Sequence, residues 1–143
     1  MPTITREHKK KLIEHAQEAS PYECCGILVG NDDSATHLYP ITNTSTNRHR
    51  YLMDPQQHLD VTLESGKHGR ELLAFYHSHP NGPAKLSETD VHMAQKSGWV
   101  GEDIYYVLVS LENPDEPIVK AFHILENGTV LEKPLPIKTT SDY

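Results

Sequence analysis

The sequence predicts a mixed α+β fold. Helix-patterned and strand-patterned segments interleave along the chain, and hairpin signals flank both ends of the series. The 143 residues suit one compact core. Neither an internal repeat nor a long Gly/Ser linker divides them. We therefore expect one domain over residues 1–138 and a frayed tail over 139–143.

Each element follows from local signals. Thr5 can cap a first helix that runs to about Ser20, with Leu12, Ile13, Ala16 and Ala19 on one face and Pro21 just beyond its end. Cys24 to Val29 reads as a buried strand, the cluster Gly30-Asn31-Asp32 as a turn, and Ala35 to Ile41 as the returning strand of a hairpin. Asn43 to Arg50 is polar and turn-rich, and Tyr51 to Met53 is expected to be a short strand. Pro55 can open a second helix that ends near Lys67, closed by Gly66 and Gly69. Glu71 to His77 reads as a strand, Ser87 to Ser97 as a helix and Ile104 to Leu111 as a strand. Ile118 to Leu125 and Thr129 to Ile137 flank Asn127-Gly128, the signature of a tight hairpin.

Composition excludes several function classes. Thirteen basic against twenty acidic residues give a formal charge of −7, the opposite of a nucleic-acid footprint. The longest apolar runs, such as Ile104 to Val109, fall far short of the roughly 20 residues of a membrane span. The charged N-terminus has no apolar signal core behind it, from which we expect a cytoplasmic, reducing environment. The only cysteines, Cys24 and Cys25, are adjacent, which excludes an ordinary disulfide framework and a four-cysteine zinc site. Both read as small buried apolar residues. Any metal would fall to the ten histidines and the carboxylates.

The informative stretch runs from His77 to Asp90. Residues two apart on a strand share a face, so His77 and His79 can present two imidazoles to one point. Pro80, Gly82 and Pro83 then force a loop, and Ser87 starts a helix that carries Asp90 on its first turn. Two histidines, one carboxylate and an open fourth position form the ligand set of a hydrolytic zinc ion. Taken singly, His-x-His reads as surface or packing, and Ser87 with Asp90 reads as a capping box. We expect that Asp90 cannot both close the cap and hold a metal. His92 points elsewhere on the helix, and His8, His15, His37, His49, His58, His68 and His123 lack ligand spacing and read as surface residues.

The spacing His77-x-His79, seven residues, Ser87, two residues, Asp90 resembles the JAMM motif of the MPN-domain metalloproteases. The segment Pro21-Tyr22-Glu23-Cys24-Cys25-Gly26-Ile27-Leu28-Val29-Gly30 is similar to that family's glutamate segment, with Glu23 as the matching acid. One departure is Leu86, where many members have proline before the serine. The resemblance implies a single MPN domain, cytidine-deaminase-like, with a mixed curved sheet flanked by helices. It implies one Zn2+ per chain held by His77, His79 and Asp90, with Glu23 as general base then acid and Ser87 as oxyanion donor. It implies hydrolysis after the C-terminal di-glycine tail of a ubiquitin-like or sulfur-carrier protein, as in the compact prokaryotic members. A broader isopeptidase acting on protein conjugates, or a metal-free MPN scaffold, are the alternatives. The run from Thr42 to His49, with Arg48 and Arg50, is a candidate loop at the substrate groove. The oligomeric state is not legible.

Overall fold

The computed structural model describes residues 2–139. Its centre is a six-stranded sheet of β2 (Cys25–Asn31), β3 (Ser34–Ile41), β4 (Glu71–His79), β5 (Gly101–Ser110), β6 (Ile118–Ile124) and β7 (Val130–Lys133), in the order β3-β2-β4-β5-β6-β7. Every neighbouring pair is antiparallel except β4 with β5. A parallel pair needs a crossover, and this one contains α3 (Glu88–Ser97). A separate parallel pair joins β1 (Ile4–Thr5) to β8 (Ile137–Lys138).

Helices cover both faces. On one, Leu12 and Ala16 of α1 (Arg6–Ala19) pack with Leu28, Tyr76, Val107 and Val109. On the other, Val61 of α2 (Pro55–Lys67) and Ala94 of α3 pack with Ile27, Val29, Phe75 and Leu108. This explains why β2 and β5 read as continuous apolar runs: a strand covered on both faces has no solvent side to alternate with.

The element series follows the expected one, with β1 added, β4 longer than expected and four further corrections. The first turn falls at Asp32-Asp33, both at positive φ (50° and 61°), while Gly30 and Asn31 stay in β2. A two-residue hairpin turn of type I′ has positive φ at both central positions, and Asp tolerates it. Tyr51 to Met53 is not a strand: Met53 makes only an isolated bridge to Asn43. Gly66 lies inside α2, which is capped by His68 and followed by Gly69 at φ 67°. The final expected strand is split into β7 and β8, because Pro134 and Pro136 between them carry no N–H for a ladder. The tail expected to fray lies, from residue 140, outside the described residues.

Two histidines read as surface residues are buried. His8 closes the cap of α1, its Nδ1 accepting from the Thr5 N–H at 3.2 Å while the His8 N–H donates to Thr5 Oγ1 at 3.1 Å. His123 lies against the Tyr105 ring, 4.3 Å between centroids. Cys24 and Cys25 are buried as expected, and burial pushes both thiols up to about 12, which makes them poor nucleophiles at neutral pH. Among the described residues no helix is long and apolar enough to cross a membrane.

Candidate metal centre

Strand β4 delivers the two histidines. It runs two residues further than expected, to His79, so both imidazoles sit on the strand, on the face covered by α2 and α3. His77 is fully buried at the centre of the sheet, paired with Cys25 of β2 and Leu108 of β5. Its ring lies under that of Tyr51, centroids 4.7 Å apart, and edge-on to His79 at 5.2 Å. Ser78, between them, takes no part in the cluster. Its Oγ accepts the Cys24 N–H at 2.8 Å, and its own N–H donates to Cys24 O at 3.3 Å. These two bonds lock β4 to the start of β2 and so bring Glu23, the preceding residue, beside the histidines.

Asp90 arrives from the crossover. The loop after His79 returns through Ser87, the N-cap of α3, whose Oγ accepts the Asp90 N–H at 3.0 Å. Asp90 Oδ2 in turn accepts the Ser87 N–H at 2.9 Å and lies 3.0 Å from His79 Nε2 and 3.1 Å from His77 Nε2. The expected conflict between capping and cluster membership is therefore absent. One carboxylate oxygen has room for an N–H on one side and the imidazoles on the other. Burial opposes the charge of Asp90, but His77, the hydrogen bond from His79 and the Ser87 N–H outweigh it and hold the carboxyl well below the ordinary range.

Glu23, His77, His79 and Asp90 are all buried, with one ligand-capable atom from each lying within 4.8 Å of the others. The chemistry of the group fits a cation. His79 Nδ1 donates to the Pro83 carbonyl at 3.1 Å, which leaves the lone pair of the neutral ring on Nε2, pointing at a carboxylate oxygen. Lone pair against lone pair at 3.0 Å requires a proton or a metal ion between them. His79 is accordingly shifted: burial disfavours its charge, but Asp90, Pro83 and Glu23 overcome this and raise its pKa. His77 Nε2, although 3.1 Å from Asp90, is off the hydrogen-bond direction, and both its ring nitrogens and Glu23 Oε1 are buried with no hydrogen-bond partner. Such orphans are costly unless another group completes them. Two nitrogens and carboxylate oxygens are the donors zinc takes.

Glu23 is 4% exposed, and burial raises its carboxyl to about 7. The Asp90 charge adds to that effect, while His77 and His79 oppose it. The cluster opens onto a cleft of about 590 Å³ lined by Glu23, His79, Ser87, the loop residues Pro80 to Pro83, and Arg48 with His49. Of the Thr42 to His49 run, Arg48 and His49 line this cleft, whereas Arg50 does not. An apolar hollow of about 180 Å³, walled by Phe75, Trp99 and Tyr106, contains none of the four.

The structure gathers Glu23, His77, His79 and Asp90 into one buried cluster, with Ser87 bonded to Asp90, and of these Glu23, His79 and Ser87 line the cleft. Sequence reasoning missed Ser78, Tyr51, the Pro83 carbonyl and Asn43, whose Nδ2 donates to Glu23 O at 2.9 Å. None carries a local signal; each matters through a contact that exists only in the folded chain.

A family model described as prokaryotic homologs of the JAB domain matches residues 5–124. The chain is 30% identical over 129 residues to the CysO-cysteine peptidase of Mycobacterium tuberculosis strain H37Rv, an alignment covering 88% of this chain and 84% of that one. It is 29% identical to the desampylase of Haloferax volcanii over 68% of this chain and 76% of that one. Among solved structures, protein DSY2949 from Desulfitobacterium hafniense superposes with a TM-score of 0.84 at 30% identity, covering 98% of this chain and 94% of that one.

Proposed function

The chain belongs to the Prok-JAB family, and from that premise we propose that it is a zinc metallopeptidase cutting after the C-terminal di-glycine of a ubiquitin-like or sulfur-carrier protein. The observation that carries this reading is the buried quartet, whose ligand-capable atoms lie within 4.8 Å of one another while both His77 ring nitrogens and Glu23 Oε1 have no hydrogen-bond partner. The relative named CysO-cysteine peptidase and the fit of the donor set support it.

His77, His79 and Asp90 would hold one zinc ion per chain, which supplies Lewis acidity and a lowered pKa for water. Glu23 acts as the proton carrier. Its Oε1 has no internal partner to satisfy, so it is available to accept a proton from the attacking water and pass it to the leaving amine nitrogen. Added positive charge beside it favours the carboxylate, so Glu23 starts the cycle as acceptor. Ser87 spends its oxygen lone pair on the Asp90 N–H and keeps its O–H hydrogen to donate to the oxyanion that develops on the scissile carbonyl. The water's hydroxyl ends on the glycine carbonyl carbon and its proton on the amine, so the products are a free di-glycine carboxylate and the released amine.

The test is zinc content of the purified chain and of a His77→Ala, His79→Ala double variant, followed by incubation with a di-glycine carrier bearing a C-terminal extension. One zinc per chain, lost in the double variant, together with trimming is the expected result. No zinc after reconstitution would favour a scaffold, and turnover confined to lysine-linked conjugates would favour the isopeptidase.

A further inference from the structure

The cleft carries charge that bond cleavage itself does not use. Arg48, His49 and Lys85 line it, against Glu88 and the buried Glu23. With histidine neutral, Arg48 and Lys85 formally balance Glu88 and Glu23 there, in a chain whose net charge is −7. Among the described residues neither Arg48 nor Lys85 belongs to an ion pair.

The loop that presents Arg48 is fastened. Asn43 Nδ2 donates to Glu23 O at 2.9 Å, and Asn43 Oδ1 accepts the N–H groups of Ser45 at 2.9 Å and Leu52 at 3.0 Å. Ser45 Oγ then accepts from the Asn47 N–H at 3.1 Å, and Asn47 Oδ1 from the His49 N–H at 2.8 Å. This relay fixes the backbone on both sides of Arg48 and roots it on the carbonyl of Glu23. At the other end of the side chain, the guanidinium lies 5.7 Å from the ring centroid of Tyr22, the residue before Glu23. Arg48 is exposed, carried on a fastened backbone beside the Tyr22 ring, and it faces the cleft without a carboxylate partner among the described residues, which leaves its guanidinium open to an anion from outside.

We propose that Arg48 binds the free α-carboxylate of the residue released behind the di-glycine, an inference that rests on the peptidase reading above. In a one-residue extension a single carbon separates the scissile nitrogen from that carboxylate, so it stays inside the same cleft as the reacting bond. A lysine-linked conjugate presents an alkyl stem there and no carboxylate. Arg48 therefore selects linear, single-residue extensions over isopeptide conjugates, with Lys85 adding positive potential to the same cleft.

The experiment compares two substrates on the zinc-loaded chain: a ubiquitin-fold protein extended past its di-glycine by one alanine, either as the free acid or as the C-terminal amide. Wild type is expected to prefer the acid by about tenfold or more in kcat/KM, the scale of one charge-assisted hydrogen bond. Arg48→Gln is expected to bring the acid-to-amide ratio close to one, chiefly through KM, while zinc content stays at one per chain. Arg48→Lys keeps a point charge and is expected to retain part of the preference. Equal cleavage of acid and amide by wild type overturns the proposal while leaving the peptidase reading intact. So does an Arg48→Gln variant slowed alike on both substrates. Cleavage of neither substrate by zinc-loaded wild type overturns the peptidase reading, and this inference with it.

Discussion

Glu23 holds a carboxyl raised from its ordinary 4.5 to about 7, with burial as the leading cause, and this has a consequence for stability. Between those values the folded, metal-free chain binds a proton that the unfolded chain has released. The contribution is therefore complete below pH 4.5 and is lost as pH rises through 7. At about 1.36 kcal/mol per pH unit, the stability of the metal-free chain relative to Glu23→Gln should fall by roughly 3 kcal/mol from pH 4.5 to 8. Urea titrations of both proteins across that range check it; a constant difference would contradict the buried placement. In the zinc-loaded chain Glu23→Gln should leave metal content unchanged and lower kcat by at least about 10²-fold. Elemental analysis beside a turnover assay separates the two effects.

At the scale of elements, two contacts set where the ligand-bearing segments meet. Strand β2 reaches β4 closely because Gly26 has no side chain: a Cβ there would fall 2.2 Å from Cε2 of Tyr76. Tyr76 cannot give way, since its ring is fully buried and its hydroxyl lies 2.7 Å from His15 Nδ1 on α1. Gly26→Ala should cost about 3 kcal/mol, and Tyr76→Leu in the same chain should recover part of that loss, a non-additivity that a double-mutant cycle in urea would measure. The start of α3 is the second contact. Ser87→Ala removes the side-chain half of the cap and should lower stability by about 1 kcal/mol. Ser87→Asp, which can still cap through its carboxylate but has no hydrogen to donate, should restore stability but not turnover if the hydroxyl hydrogen serves the oxyanion.

For the whole molecule, the quartet joins segments far apart in the chain: the approach to β2, the end of β4 and the first turn of α3. An ion bound there ties the native chain together and has no comparable site in the unfolded one. Zinc at about 100 times its Kd should therefore stabilise the chain by about 2.7 kcal/mol, or roughly 5–10 °C in Tm. Thermal unfolding with zinc and with a chelator reads this out, and His77→Ala should abolish the shift.

The sequence by itself determined the order of elements, the hairpins at both ends, the burial of Cys24 and Cys25, and the ligand-like spacing of His77, His79 and Asp90. All of these rest on periodicity, turn chemistry or separations of a few residues, which the chain encodes locally. Tertiary structure decided that Asp90 Oδ2 serves the cap and the cluster together, that Pro83 sets the tautomer of His79, and that Asn43 fastens the Arg48 loop to Glu23. It also buried His8 and His123 and turned the expected strand at Tyr51 into a lid on His77. The physical reason is the same in each case. A hydrogen-bond partner or a covering ring supplied by a segment distant along the chain leaves no period and no propensity in the residues it contacts.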